Sequence, residues 1–385
     1  MSVTVNPEVL MRIKDWRPWV EAKLGFRNYW YPIAFSREID EGGHRAVQLL
    51  GEKILLIRSG GTLYGVRDRC LHRGVPFSKN VECHVPGTLT CWYHGWTYDL
   101  QNGQICDVLT DPKSKMVNQP GIKTYPVSEA KGLVFVYIGD AEPGPLKNDV
   151  PVGFLDDDLA VEGISRVVNA NWRLGVENGI DPTHIYIHRD APGVILEHAV
   201  VPLSLSPKRP LNGRPDVDSG PVGVWHDELF SPDAVEASFE GKIKGHLVRT
   251  NPITSESKPI GTEGSLWMPG VLRIGPFPDH TVFQYEWYVP IDEKSHLYIQ
   301  TQTRRVKSDQ EKQRFSDEFW MYKKDTWLHG FNDADIIARE ATQQFYEDDW
   351  GWINERLFEP DSVLIDWRKF ASQHHRGIQL PHHLL

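Results

Sequence analysis

The stretch Cys70–His94, CLHRGVPFSKNVECHVPGTLTCWYH, contains three of the four cysteines in a chain of 385 residues. It places one cysteine and one histidine in each of two short motifs, Cys-x-His at its start and Cys-x-x-His at its end. Two thiolates and two imidazoles bind either one zinc ion or a cluster of two irons and two sulfides. The first question is therefore which of these two groups the stretch holds.

Short β-rich runs surround both motifs, for example KILLIRS at 53–59 and KGLVFVYIGD at 131–140. Turn sequences such as SGGT and QNGQ separate the runs. This pattern predicts a compact antiparallel β domain over residues 27–142, with the two motifs on loops at the same end of a sheet. Each loop then gives one ligand to each iron, which favours a Rieske-type cluster over a zinc site, although zinc remains the alternative.

The composition excludes several classes of protein. A formal net charge of −10 argues against general nucleic-acid affinity. No apolar run is long enough to cross a bilayer, and the N-terminal sequence does not resemble a secretory signal. Without such a signal, the cysteines are expected to be reduced and the protein cytoplasmic. Cys83 and Cys106 lie outside the two motifs, and we expect both to be ordinary buried thiols.

Residues 1–26 and 143–385 are predicted to form a second, larger domain. Three consecutive runs at 271–277, 281–291 and 295–306 read as strands of one antiparallel sheet. Helical spacing is present at 9–24 (interrupted at Pro18), 308–328 and 333–346, and residues 200–265 read as long loops with a few strands. The predicted fold class is α+β: a small antiparallel β domain beside a larger domain with an antiparallel sheet and flanking helices, of helix-grip type.

A second possible metal site lies in GIDPTHIYIHRD. His184 and His188 are four residues apart, so they share one face of a helix, for which Asp181 is the expected N-cap. Two histidines and one carboxylate form the usual triad of a mononuclear iron(II) site. The segment GFNDADIIARE offers Asp333 and Asp335 as the carboxylate, although both also suit the start of a helix.

The sequences CLHRG, CWYHGW and NWRLGVENGIDPTHIYIH together resemble the Rieske non-haem iron ring-hydroxylating oxygenases. The resemblance implies a [2Fe-2S] cluster and a mononuclear Fe(II). It assigns the ligands as follows: Cys70 and Cys91 on one cluster iron, His72 and His94 on the other, and His184, His188 and Asp335 on the mononuclear iron. The histidines are separated by three residues instead of the four in many members, a spacing found in a subset that lacks a small second subunit.

The resemblance also gives Asp181 a catalytic role between two metal centres. Its carboxylate is expected to hydrogen-bond His94 of one subunit and His184 of the next in a homotrimer, so that it orients both imidazoles. The simpler alternative is that Asp181 is only a helix cap. Tyr93 and Trp96 are expected to lie near the cluster.

An apolar slot for a flat polycyclic aromatic substrate is also implied by the resemblance. Its expected lining residues are Gly179, Ile185, Leu272, Phe277, Phe331 and Asn332. Gly264 stands where the resemblance implies a bulkier apolar residue, and this difference bears on the width of the slot and on the substrate range. A monooxygenase or O-demethylase is the alternative activity, because it uses the same metal sites.

Electrons must come from other proteins, because the chain has no nucleotide-binding glycine motif. We expect a ferredoxin and an NAD(P)H-dependent reductase as partners, with O2 as the second substrate. Lys14, Arg73 and Lys123 are candidates for a basic patch that docks an acidic ferredoxin, although each is equally well explained as a scattered surface charge.

Overall fold

A computed structural model describes residues 5–196 and 264–384 with their side chains, and between them only the backbone of short strands. The chain divides into two compact units, residues 27–143 with 382–385 and residues 1–26 with 144–381. The loops predicted at 200–265 lie largely outside the described residues. Mixed helices and antiparallel strands confirm the predicted α+β class.

The smaller unit contains three antiparallel sheets, with strand orders β1-β11-β10, β2-β3-β4-β9 and β5-β6-β7-β8. Its strands are β1 Tyr29–Phe35, β2 His44–Leu49, β3 Glu52–Ser59, β4 Thr62–Arg67, β5 Val81–Glu82, β6 Thr88–Cys91, β7 Trp96–Asp99, β8 Ile105–Val108, β9 Thr124–Tyr125, β10 Val127–Ala130 and β11 Leu133–Ile138. Leu55, Phe77 and Leu89 belong to a buried cluster that also contains Cys70 and Cys91. The core of this unit thus positions both motif cysteines.

The prediction that Cys83 and Cys106 are buried is wrong, because both are exposed. Cys83 directly follows the two-residue strand β5. Cys106 lies on β8, the edge strand of its sheet, where Ile105 points inward and Cys106 points outward. Alternation along a strand therefore places this thiol on the solvent face.

The larger unit is built on a seven-stranded antiparallel sheet of order β12-β24-β23-β22-β21-β16-β15. Its strands are β12 Leu159–Val168, β13 Ala199–Val200, β14 Pro202–Ser204, β15 Asn212–Arg214, β16 Gly223–His226, β17 Val235–Ser238, β18 Gly241–Lys244, β19 Val248–Thr250, β20 Ser257–Pro259, β21 Glu263–Trp267, β22 Val271–Gly275, β23 Val282–Pro290 and β24 His296–Arg305. The three strands predicted at 271–306 are thus β22, β23 and β24, as expected.

Helices flank this sheet, and α3, α5 and α6 contact it. The helices are α1 Pro7–Arg12, α2 Arg17–Glu21, α3 Trp172–Ile180, α4 Pro192–Leu196, α5 Asp309–Glu318, α6 Asp333–Glu347, α7 Gly351–Asn354 and α8 Ser362–His374. The helix predicted at 308–328 begins as α5 and continues as a π-helix over Phe319–His329. Short 3-10 turns are Lys14–Trp16, Ser36–Glu38, Phe77–Lys79, Leu146–Asn148, His184–His188, Glu359–Asp361 and Pro381–Leu384.

Helix α3 packs unusually closely on strand β23 because two glycines face Tyr288. A Cβ atom at Gly175 would lie 2.7 Å from Tyr288 Cδ1, and one at Gly179 would lie 2.3 Å from Tyr288 Oη. Neither distance is tolerable for a real side chain. The glycines are spaced four residues apart, so they lie on the same helix face and let the backbone reach the tyrosine ring.

No helix in the described part of the chain is both long enough and apolar enough to span a membrane.

A buried histidine on β24 makes the stability of the larger unit dependent on pH. His296 is fully buried, and its Nδ1 lies 2.7 Å from the carbonyl oxygen of Ala170. Burial, together with the charge of Arg339, lowers the pKa of His296 to about 3. The folded protein therefore keeps this imidazole neutral at pH values where the unfolded chain protonates it.

We expect His296→Gln to flatten the acid side of the stability profile. Because the pKa is depressed in the fold, the contribution of His296 is complete above its ordinary value and is lost as pH falls from there towards about 3. Between pH 7 and pH 5 the wild type should lose about 2 kcal/mol more unfolding free energy than the variant. Urea unfolding at a series of pH values measures this difference. The exposed His280→Gln is the control, and equal slopes in all three proteins would contradict the assignment.

Candidate metal centres and active site

The two cysteine motifs fold into similar tight loops. The carbonyl oxygen of Cys70 accepts a hydrogen bond from Gly74 N, and that of Cys91 accepts one from Gly95 N, each at 2.9 Å. Both glycines have positive φ, +75° and +69°, a conformation that suits glycine. In each loop, the glycine four residues after the cysteine thus turns the chain back, so that a histidine lies near its cysteine.

The four predicted cluster residues lie together in the smaller unit. Cys70 and Cys91 are buried free thiols, whereas the rings of His72 and His94 lie nearer the surface with centroids 4.5 Å apart. Burial raises the pKa of Cys70, and desolvation followed by the charge of His72 lowers the pKa of His94. A buried sulfur pair with an adjacent imidazole pair nearer the surface fits a Rieske cluster, in which two cysteines would hold one iron and two histidines the other.

Aromatic side chains surround these ligand candidates. Trp96 stacks on His72 with centroids 5.0 Å apart and an angle of 2° between the rings, and Tyr93 lies 3.7 Å from His94. Tyr93 and Trp96 thus lie beside the candidate cluster ligands His94 and His72. Tyr98, which the sequence did not single out, places its hydroxyl 3.2 Å from Cys70 Sγ. Its position two residues after Trp96 on a buried strand was the only signal available for it.

A second group of ligand candidates lies in the larger unit. One ligand atom from each of His184, His188 and Asp335 lies within 4.8 Å of the others. Asp335 Oδ1 is 3.6 Å from His184 Nε2 and 3.3 Å from His188 Nε2. His188 is fully buried, yet neither of its ring nitrogens makes a hydrogen bond among the described residues, and Asp335 Oδ1 makes none either. Buried polar atoms that converge in this way fit a metal ion.

The structure places Asp335, and not Asp333, beside the two histidines. The Asp333 side chain is 55% exposed and forms an ion pair with Arg166. Asp335 is buried, and burial opposes its ionisation, but the adjacent His188 outweighs this and holds the pKa of Asp335 well below its usual range. The carboxylate is thus ionised, as a metal ligand must be.

The local structure of the histidine segment differs from the predicted α-helix. Asp181 is the residue after the end of α3, and its N–H bonds the carbonyl oxygen of Glu177, 2.9 Å away. The histidines lie on a 3-10 turn, His184–His188, with Thr183 before it. The prediction that Asp181 caps this helix is wrong, because its backbone closes the preceding one. A 3-10 turn does not align residues four apart, so the histidines converge through side-chain orientation, with their rings at 86°.

The Asp181 carboxylate does not make the expected bond to His184. Its Oδ1 accepts hydrogen bonds from Thr183, at 2.7 Å from N and 2.8 Å from Oγ1. The main-chain carbonyl of Asp181 instead contacts His184 Nδ1. Because a carbonyl can only accept, Nδ1 carries the ring proton and Nε2 keeps its lone pair for a metal.

One cavity brings together the predicted substrate-lining residues and the three metal-ligand candidates. The six predicted lining residues and Gly264 all border it, as do Asp181, His184, His188 and Asp335. The residues that the sequence analysis missed in this lining are Ile180, Ile274, Gln284, Glu286 and Arg339.

A buried polar network lies behind the metal-ligand candidates. Glu286 accepts hydrogen bonds from the hydroxyls of Tyr288 at 2.9 Å and Tyr298 at 2.6 Å. Arg339 lies over the rings of both tyrosines, 5.0 Å and 4.3 Å from their centroids. Burial raises the pKa of Glu286, and the charge of Arg339 opposes this. A glutamate inside the otherwise aromatic strand VFQYEWYVP was the sequence signal for this network.

Asn332 directly precedes α6, and its side chain makes no capping hydrogen bond to that helix. Its Nδ2 instead lies 3.2 Å from Glu286 Oε1 and 3.1 Å from the Tyr298 hydroxyl. This residue therefore belongs both to the cavity wall and to the network behind it.

Comparisons with known proteins agree with both sites. Residues 29–126 match the Rieske [2Fe-2S] domain, and residues 137–379 match the homotrimeric ring hydroxylase family. The terminal oxygenase component of carbazole 1,9a-dioxygenase from Metapseudomonas resinovorans is 47% identical over 99% of both chains. That from a Sphingomonas species is 49% identical over 96% of this chain and 97% of the relative.

A solved structure agrees over almost the whole chain. A carbazole-bound oxygenase variant in its ferredoxin complex matches with a TM-score of 0.90 and 46% identity, covering 99% of this chain and 97% of that one. These findings define an oxidoreductase of the Rieske aromatic-ring dioxygenase class. Within that class, the chain belongs to the homotrimeric ring hydroxylase family.

The cofactors of this class are a Rieske [2Fe-2S] cluster and a mononuclear iron, as predicted from the sequence. The buried thiol pair with its two imidazoles fits the cluster. The ring nitrogens of His188 and Oδ1 of Asp335, which have no hydrogen-bond partner among the described residues, fit the single iron. The zinc alternative is thereby excluded.

We expect Tyr98→Phe to lower the reduction potential of the cluster. The hydroxyl near Cys70 Sγ stabilises negative charge on sulfur, which grows on reduction, so its loss favours the oxidised state. The expected shift is on the order of tens of millivolts, since about 59 mV corresponds to a tenfold change for one electron. Tyr125→Phe is a matched control, because this tyrosine bonds Glu52 instead. Redox titration followed by absorption measures both, and an unchanged potential in Tyr98→Phe would contradict the role.

Proposed function

We propose that this protein is the terminal oxygenase of a multicomponent dioxygenase that performs angular dihydroxylation of carbazole or a related tricyclic aromatic. The observation that carries the proposal is the cavity: it joins an apolar slot to the three ligand candidates His184, His188 and Asp335. Sequence identities of 47% and 49% to two carbazole dioxygenase components, over nearly the full length of the chain, support the same interpretation. The physiological role is then the catabolism of aromatic compounds, carbazole among them.

Each set of residues has a proposed part in holding the metals. Cys70, Cys91, His72 and His94 hold the cluster. His184, His188 and Asp335 hold the mononuclear iron(II), which supplies O2 activation when bound. The carbonyl of Asp181 fixes the His184 ring with Nε2 towards the metal position. Burial of His188 and Asp335 keeps bulk water from this site.

The slot suits a flat substrate with one polar edge. Leu272, Phe277 and Phe331 supply apolar surface, and Ile185 packs with the two phenylalanines. Gly179 lies in the last turn of α3, where carbonyl oxygens lack intrahelical donors. We propose that this carbonyl accepts the ring N–H of carbazole. This hydrogen bond would fix the orientation of the carbazole ring, so that the carbons next to its nitrogen face the three iron-ligand candidates.

The proposed reaction balances with two electrons and two protons. The substrate gains both oxygen atoms of O2 as two hydroxyl groups on adjacent carbons, one of which is bonded to the ring nitrogen. That carbon is then a hemiaminal, and its C–N bond opens to give an aminobiphenyl-diol. A cluster held by Cys70, Cys91, His72 and His94 would supply the electrons one at a time, and the sequence contains no nucleotide-binding glycine motif for a hydride donor.

The proposed partners are a ferredoxin, an NAD(P)H-dependent reductase and two further copies of this chain. The family description and a solved oxygenase–ferredoxin complex support this assembly. Lys14 and Arg73 are exposed and remain candidates for ferredoxin docking, whereas Lys123 is partly neutralised by Glu52, 2.7 Å away. We also propose a cytoplasmic location, supported by the free thiols.

Reconstitution with a ferredoxin and a reductase tests the activity. We expect turnover of carbazole and dibenzofuran, with both atoms of isotopically labelled O2 in the product. Incorporation of a single atom would instead indicate a monooxygenase or O-demethylase. Absence of any ring dihydroxylation would contradict the proposal.

Gly264→Ile should narrow the slot and reduce turnover of substituted tricycles more than that of carbazole, since Gly264 lies in the wall of the slot.

We expect Asp335→Ala to remove the mononuclear iron and to lower turnover more than about 100-fold, because a buried ligand is lost. The Rieske absorption and electron paramagnetic resonance spectra should stay unchanged. Asp333→Ala is the matched control from the same helical turn, and it should keep its iron. Metal analysis of both variants decides, and loss of iron only in Asp333→Ala would reverse the assignment.

We propose that the Asp181 carboxylate lies on the electron path from the cluster at His94 of one subunit to the iron at His184 of the next. Within one chain its Oδ1 bonds Thr183 and not His184, so Asp181→Asn tests whether the carboxylate has this role. An asparagine can still accept the two bonds from Thr183, so the fold should persist. We expect both metals to stay bound while reduction of the iron, followed in single turnover, slows by about 100-fold or more. Full activity in this variant would refute a role for the carboxylate.

A further inference from the structure

The two carboxylate oxygens of Asp335 have different surroundings. Oδ1 lies 3.6 Å from His184 Nε2 and 3.3 Å from His188 Nε2, where a metal ion fits. Oδ2 lies on the other side, 3.4 Å from the amide nitrogen of Asn332. The carboxylate therefore has one oxygen directed at the imidazoles and one directed at a hydrogen-bond donor.

The Asn332 amide is itself fixed by two further groups. Its Nδ2 carries two hydrogens: one is directed at Asp335 Oδ2, and the other is shared between the Tyr298 hydroxyl at 3.1 Å and Glu286 Oε1 at 3.2 Å. Tyr298 donates its own hydrogen to Glu286 Oε2 at 2.6 Å, which leaves a lone pair of the hydroxyl oxygen for the amide. The amide nitrogen of Asn332 therefore faces Glu286 and Tyr298. Its amide oxygen, Oδ1, has no hydrogen-bond partner among the described residues.

Glu286 is the acceptor at the centre of this network. Tyr288, Tyr298 and Asn332 all direct hydrogens at it, and a carboxylate is the side chain that can only accept. A glutamate that is 4% exposed is costly unless it is paired, and Arg339 supplies the compensating charge.

We propose that Glu286 is a positioning residue for the iron site: through Asn332 it holds Asp335 Oδ2, so that Asp335 offers a metal one oxygen and not two. The inference rests on the metal-holding role proposed above for His184, His188 and Asp335. A carboxylate that binds through one oxygen occupies one coordination position and leaves more of the metal's coordination sphere open to O2.

Two substitutions disturb this chain of contacts and one leaves it intact. In the wild type the two tyrosines donate to one oxygen of Glu286 and Asn332 donates to the other. Glu286→Gln keeps only one acceptor oxygen, so either Asn332 or the tyrosines lose their acceptor. Tyr298→Phe removes one of the groups that fix the Asn332 amide. Tyr288→Phe is the matched control. It also removes a hydroxyl that donates to Oε2 of Glu286, but the Tyr288 hydroxyl makes no hydrogen bond to Asn332.

The test uses cobalt(II) in place of the mononuclear iron, in protein with its Rieske cluster intact. We expect Glu286→Gln and Tyr298→Phe to weaken cobalt binding by about 10- to 100-fold, the usual effect of removing a group that orients a ligand. Cobalt X-ray absorption should show one additional short oxygen neighbour as Asp335 turns to bind through both oxygens. Tyr288→Phe should keep the wild-type affinity and spectrum, and thermal melting checks that each variant is folded.

Three outcomes would overturn the inference. A wild-type cobalt environment in both Glu286→Gln and Tyr298→Phe would show that Asp335 needs no such support. An equal loss in all three variants, with lowered melting temperatures, would indicate general destabilisation instead of positioning. Cobalt binding that is unaffected by His184→Ala would show that the metal lies elsewhere, and this result alone would also overturn the metal site in the proposed function.

Discussion

Two arginines fix helix α3 from both sides, and the active site depends on this attachment. Arg339 on α6 donates from Nε to Asn178 Oδ1 at 2.6 Å, and Arg368 on α8 donates to both Glu177 oxygens at 2.8 Å and 2.7 Å. These three bonds end on the neighbouring residues Glu177 and Asn178, near the end of α3. The histidine segment follows directly, and Asp335 lies one turn before Arg339, so one guanidinium sets the distance between ligands that are far apart in sequence. Removing one partner from such a buried pair typically costs about 3–5 kcal/mol.

The ligand residues and the strands around them could be predicted from the sequence because their chemistry is local. Cys70 and His72 are close because only one residue separates them, and a tight loop closed by a glycine holds both side chains in place. The choice of Asp335 came from resemblance to a family, since nothing local distinguishes it from Asp333. Only the fold separates them, because one carboxylate faces the core and the other faces Arg166 at the surface.

The errors came from contacts that a linear pattern does not contain. Asp181 looks like a helix start, but its N–H is already used to end α3. Cys106 was expected to be buried, yet it lies on the outer face of an edge strand, and strand order is not visible in sequence. The network of Glu286, Tyr298 and Arg339 joins β23, β24 and α6, so no single segment signals it. Each case reflects tertiary structure overriding a local preference.

The cavity lining has a polar part and an apolar part, and this difference bears on how such a protein diversifies. Asn332, Glu286 and Arg339 are interlocked by hydrogen bonds and charge, so a change in any of them disturbs the ligands. Leu272, Ile274 and Gly264 contribute apolar surface from adjacent strands β21 and β22, and Leu272 pairs directly with Glu286 on β23. Substitutions at the apolar positions alter the shape of the cavity without removing a metal-ligand candidate. Natural selection can therefore broaden or shift the range of compounds consumed through β21 and β22, while the polar part is held constant.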